Sequence, residues 1–238
     1  MSNEPVCIQI PENFPIETHH RINEYITSIF INDEKTYKES WGEFVGGWTA
    51  ILYRFISCYE HYLNFIKSLK IWTNAPPPPE RYIQERELYG FFTTGFSVFE
   101  SFFYSIYAIG SIFKPKEFSI SNSEEKRRIN DKNTKDAFKR VYHDKSITIT
   151  IERLLDCDEY KQWKTTRNVL AHRSVPSRHI FYGGEQNGEA HWLDGNLDEN
   201  FINNKFNWLS EKIKDFIHEL DNFISDFEKK QKAGEEQG

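Results

Sequence analysis

Residues Arg167 to Arg173 read Arg-Asn-Val-Leu-Ala-His-Arg, which sets three candidate cations and an amide within two helical turns of a segment whose apolar face is built from Tyr160, Trp163 and Leu170. A charge kept among apolar neighbours costs several kcal/mol unless it is paired, so Arg167 requires a carboxylate or an anionic ligand. A histidine titrates near neutrality and can take or give a proton, whereas an arginine stays charged and offers paired donors to phosphate oxygens. At 100° per residue Asn168 and His172 stack on one face. Arg167 lies about 140° from His172, so only a long side chain lets both meet one group.

Glu100 is the matching acidic candidate. It is the single charge between Leu88 and Phe113 and is expected to be buried against another helix, with Arg167, Arg54 or a histidine as its cation. Two roles stay open for it, a structural ion pair or a carboxylate that orients the reactive Arg or His. The remaining polar groups carry less. His19 and His20 are expected at the surface, His143 and Asp144 at a helix end, and His179 and His191 opposite each other across a hairpin. No metal site or cofactor site is expected. The three cysteines, Cys7, Cys58 and Cys157, sit at no metal-ligand spacing, and neither a nucleophile elbow nor a phosphate-cradling glycine loop is present.

The elements that must position these residues follow from periodicity. The 238 residues suffice for one substantial domain, and 20 Phe, 12 Tyr and 6 Trp promise an aromatic core. Residues 1–15 read as an extended N-terminal arm and 16–227 as a single helical domain. Within it, weak helical spacing covers 16–36 and strong spacing covers 41–72, ending at the prolines 76–79, which force a fresh helix from Glu80 to about Phe113. These two helices should form an antiparallel pair. The second is apolar enough to test for membrane insertion, but its central Glu100 and scattered small polar residues assign it to a protein core; no membrane is expected.

A charged surface helix is expected over 124–143, a short strand around Ile147, Ile149 and Ile151, and a helix over 152–173 that Pro176 stops. Residues from about 178 to 193 read as a small β-hairpin around Gly183-Gly184 and Asn187-Gly188. From Ile202 to Phe227 apolar residues step by four and three. Ile217 and Ile224 widen that stripe, which favours packing within the chain over a free two-chain coiled coil, and 228–238 reads as a disordered tail. The polar N-terminus resembles no signal peptide, so a cytoplasmic location is expected. Lys114 to Arg178 holds sixteen Lys or Arg against ten Asp or Glu, net +6 in a chain of −6, so the basic part surrounds the cluster as a polyanion site would require.

Arg167 to His172, with a polar Asn168 directly after the arginine, resembles the Arg-x4-His signature of the HEPN superfamily. The looser spacings Arg54 to His61 and Arg173 to His179 also occur, but they lack that asparagine or run into the Ser174-Val175-Pro176 break. The resemblance implies an all-α antiparallel helical bundle of HEPN type, here with the small β-hairpin near the motif. It further implies a homodimer, RNA as substrate, and a metal-independent ribonuclease activity. In that activity His172 does acid or base work on the 2′-OH and the leaving 5′ oxygen, Arg167 stabilises the phosphoryl charge, and Asn168 orients one of them. The product would be a 2′,3′-cyclic phosphate. Glu100 and Arg173 would support the site, and Lys164 and Arg178 would contact RNA. The biological role implied is that of a toxin or antiviral-defence protein with a cognate antitoxin or other regulator. The alternative is an inactive HEPN-like module that dimerises or binds nucleotide or protein; a plainer one makes Arg167 no more than the ion-pair partner of Glu100.

Overall fold

The computed structural model describes residues 9–73, 75–172, 175–181, 189–193 and 195–235. The fold is all-α with one small sheet. The helices are α1 (Ile16–Asn32), α2 (Glu34–Trp72), α3 (Pro78–Phe113), α4 (Ser123–Arg127), α5 (Asp131–Val141), α6 (Ser146–Asp156), α7 (Asp158–His172) and α8 (Glu199–Glu235). Between α7 and α8 lie β1 (Arg178–Ile180), β2 (Ala190–Trp192) and β3 (Gly195–Asn196), an antiparallel sheet in the order β1-β2-β3.

The helix α3 is the axis of the molecule. Its first turn accepts Pro78 and Pro79 because the amides they lack would have no intrahelical acceptor there, so the helix begins two residues before the expected Glu80. It runs antiparallel to α2: cross-helix contacts pair Ser40 with Ser111, Glu43 with Tyr104, Arg54 with Ser97, and His61 with Glu87. Aromatic residues of α7 and α8 cover its other sides. Trp163 packs on Phe91 and Phe92, Tyr160 on Phe96 and Phe99, Trp208 on Phe99, and Phe216 on Phe102. Thus α3 is long and apolar enough to span a bilayer, yet 72% of its most apolar window is buried inside the protein.

Several elements depart from the expected boundaries, each for a local reason. The residues expected as an extended arm turn at Pro11–Phe14, where the Phe14 amide donates to the Pro11 carbonyl and the Phe14 ring is buried on Phe55; residues 1–8 lie outside the described residues. The single helix expected over 124–143 is two helices, because Asn130 caps α5 by accepting from the Asn133 amide. The strand expected around Ile147 is part of α6, whose period-four face buries Ile147, Ile151 and Leu154. Alternation over five residues was outweighed there by the longer helical repeat. The helix expected over 152–173 is broken at Cys157, whose extended backbone separates α6 from α7.

The C-terminal seam lies within its own chain: Ile202, Phe206, Leu209, Ile213, Phe216, Leu220 and Phe223 are all buried. Beyond Phe227, where a disordered tail was expected, α8 continues to Glu235 through residues of high helix propensity. The hairpin has a third strand. The turn expected at Gly183-Gly184 and Asn187-Gly188 lies outside the described residues, and β1 and β2 pair with His179 opposite His191.

Candidate functional site

Two long side chains of α7, Lys164 and Arg167, lie three positions apart and so share one side of the helix. That side faces a cleft of about 240 Å³ between α3, α7 and the N-terminus of α5, lined among others by Phe96, Glu100, Phe103, Asn130, Asp131 and Asn168. Of the cations expected for Glu100, Arg167 forms the ion pair; its Nη1 donates to Asn168 Oδ1 at 3.0 Å, and its guanidinium sits over the Phe96 ring, 5.0 Å from the centroid. A cation on an aromatic face is attracted by the ring quadrupole, so Phe96 is a support as well as a wall. Burial pushes the Arg167 pKa down, which leaves the guanidinium charged at any physiological pH.

Lys164 is anchored in parallel by Asp131 at 2.6 Å, and the same carboxylate oxygen accepts from the Tyr160 hydroxyl at 2.9 Å. Burial opposes ionisation of Asp131, but hydrogen bonds from Lys164 and Tyr160 outweigh it and hold the carboxyl below its ordinary range. Burial and the neighbouring Asp131 push the Tyr160 hydroxyl up, so it stays a donor. The cleft therefore contains two cations and two carboxylates.

The predicted residues are brought together only in part. Arg167, Asn168, Glu100 and Lys164 line one cleft. His172 is exposed at the C-terminal end of α7 and is not among the cleft-lining residues. Arg173 lies outside the described residues. Glu100, expected to be buried, has a side chain 45% exposed and also accepts from Ser97; it lies on the one stripe of α3 that neighbouring helices leave uncovered. Arg178, expected on RNA, has a side chain with 0% exposure, because β1 turns it onto α3, where it donates to Gln84 and Glu85 at 2.6 and 2.8 Å. It is a structural ion pair.

The alternative Arg54 to His61 match is engaged elsewhere. Arg54 donates to the Ser97 carbonyl and to Ser101, and His61 pairs with the buried Glu87 at 2.8 Å. His19, expected at the surface, is buried: its ring stacks on Trp48 at 4.5 Å and bonds the Trp48 carbonyl, with burial lowering its pKa to about 4. His179 and His191 do face each other in register, but among the described residues no group of three or more His, Cys, Asp or Glu could hold a metal ion.

Nor is the basic segment a free positive surface. Lys126 pairs with Glu39 and Glu43, Lys139 with Glu152, Arg140 with Glu117, and Lys145 with Asp226. Sequence reasoning read Tyr160 only as part of an apolar face, gave Phe96, Phe103 and Ile129 no place in the site, and missed its polar residues Asn130 and Asp131. Their signal was the Asn-Asp pair at 130–131, a helix start inside what read as one charged helix. No family model, curated protein or solved structure matches the chain.

Proposed function

We propose that the chain is a metal-independent, HEPN-like endoribonuclease acting as a homodimer in the cytoplasm. The observation that carries this reading is Arg167, held on Phe96 by Asn168 and Glu100 at the edge of a cleft, with the exposed His172 further along the same helix. Glu100 is half exposed, so a phosphate can compete with it for the guanidinium, and a bidentate arginine–phosphate pair is the stronger electrostatic partner as charge develops in the transition state. His172, exposed at a helix end, takes the 2′-OH proton or returns one to the leaving 5′ oxygen. One α7 sets Arg167 and His172 about 140° apart. A dimer is therefore called for, in which the histidine of one copy meets the arginine of the other. The product is a 2′,3′-cyclic phosphate, and the biological role is that of a toxin or antiviral effector held in check by a regulator.

The test is cleavage of labelled RNA in EDTA by the wild type, Arg167→Ala and His172→Ala. Each variant is expected to lose roughly 10²- to 10⁴-fold in rate while keeping the wild-type melting temperature to within a few degrees. Undiminished cleavage by His172→Ala would sink the assignment. One observation favours a second reading: Arg167 and Lys164 are each already neutralised by a carboxylate, and much of the surrounding basic segment is ion-paired. An inactive HEPN-like module, binding nucleotide or protein, would account for that. It is supported if no RNA is cut while the dimer and nucleotide binding persist.

A further inference from the structure

The cleft beside Arg167 has a chemistry distinct from that of a phosphate site. Its ionic groups, Arg167 with Glu100 and Lys164 with Asp131, sum to zero, so it offers no net attraction to a second phosphate. Its wall is apolar: Phe96 and Phe103 are buried, and Ile129 is partly so. At about 240 Å³ it falls below the roughly 300–1,000 Å³ of sites for drug-sized molecules, which fits one heterocyclic ring better than a length of chain. A neutral, flat group with a polar edge matches such a cavity.

Two amides at the rim have orientations fixed by partners that can only donate. Asn130 Oδ1 accepts from the Asn133 backbone amide at 2.9 Å, and Asn168 Oδ1 accepts from Arg167 Nη1 at 3.0 Å. Each therefore presents its NH₂ as the remaining polar group, and Lys164 adds a third donor. The rim is thus rich in donors, while the Asp131 oxygens are taken up by Lys164, Tyr160 and the Lys132 amide.

The geometry points to this cleft as a nucleobase pocket that selects a keto base, uracil or guanine, over adenine in the nucleotide next to the phosphate at Arg167. Placing a phosphate there rests on the ribonuclease reading. The carbonyl oxygens of uracil and guanine accept from the two asparagine NH₂ groups, whereas the exocyclic amine of adenine would set donor against donor. Single-stranded RNA is the fitting form, since its bases can leave the stack and enter a pocket.

The test is binding of UMP and AMP, by titration calorimetry or chemical-shift perturbation, to the wild type, to His172→Ala and to Asn130→Asp. The last keeps the α5 cap, because Asp serves as well as Asn there, but exchanges a donor for an acceptor. UMP is expected to bind on the order of tenfold tighter than AMP, the discrimination of one hydrogen-bonded base edge. The ratio should be unchanged in His172→Ala and fall toward one in Asn130→Asp at an unchanged melting temperature. Equal binding, no binding of either nucleotide, or a ratio indifferent to Asn130→Asp overturns the pocket. A preserved ratio in a protein that cuts no RNA overturns the ribonuclease reading alone.

Discussion

At the scale of single residues, the sequence called for a cation beside Glu100 because a lone charge on an apolar helix demands a partner, and only the structure chose Arg167 over Arg54 and the histidines and set Asn168 beside it. The sequence misplaced Arg178 and His19 for one shared reason. Exposure of a polar residue depends on what lies above it, and neither residue's neighbours in sequence report Gln84 and Glu85 over Arg178, or Trp48 over His19. The buried His19 makes a prediction. Burial lowers its folded pKa to about 4 from the ordinary 6.5, so between those values the unfolded chain binds more protons. Stability is therefore full above pH 6.5 and falls as pH drops toward 4, by about 3 kcal/mol from this group. Urea denaturation across that window measures it, and His19→Gln, which keeps a donor for the Trp48 carbonyl, should flatten that part of the curve.

At the scale of elements, helix existence was legible nearly everywhere and helix ends were not. The breaks at Asp33, at Arg128–Asn130 and at Cys157 fall inside runs whose composition reads as continuous helix. The caps that make them, Asp33 to the Thr36 amide and Asn130 to the Asn133 amide, are worth about 1 kcal/mol each. Such small terms are decided by where neighbouring elements must go. The break before Asp131 matters for the site, because it delivers that carboxylate to Lys164 and Tyr160.

Contact between α3 and α7 depends on Gly95 in the same way. A Cβ there would lie 2.6 Å from Trp163 Cζ3 and 3.0 Å from Cys58 Sγ. Gly95→Ala gains about 1 kcal/mol of helix propensity but overpacks a buried ring, so a net destabilisation of about 1–2 kcal/mol is expected as a lowered denaturation midpoint. Because α7 is the helix displaced, Arg167 should shift on Phe96 and activity should fall with stability.

At the scale of the whole molecule, composition foretold an aromatic core, and the buried core holds three groups of touching rings, around Phe55 and Phe206, around Trp163 and Phe102, and around Phe138 and Phe223. The charge asymmetry was equally legible, but its meaning changes once Lys126, Lys139, Lys145 and Arg167 are seen to pair with carboxylates from α2, α6, α8 and α3. Under the proposed function, RNA binding should accordingly depend weakly on salt. If only two or three cations meet phosphates, log affinity falls against log salt with a slope no steeper than about −2, against −0.7 per phosphate contact on a single strand. Fluorescence anisotropy of a labelled oligonucleotide between low and physiological salt measures the slope, and a value near −5 would mean that the ion pairs open to RNA.

By itself the sequence determined the all-α class, the antiparallel pair of α2 and α3 around the prolines, and the need of Glu100 for a cation. Each of these follows from repeating patterns along the chain or from a charge too costly to leave alone. Only the tertiary structure decided that Glu100 lies half exposed, that β1 turns Arg178 onto α3 and seals it there, and that Asn130 and Asp131 complete a cleft with residues of α3 and α7 on either side of them in sequence. Exposure and assembly of a site are sums over contacts distant in sequence, and local periodicity carries no record of them.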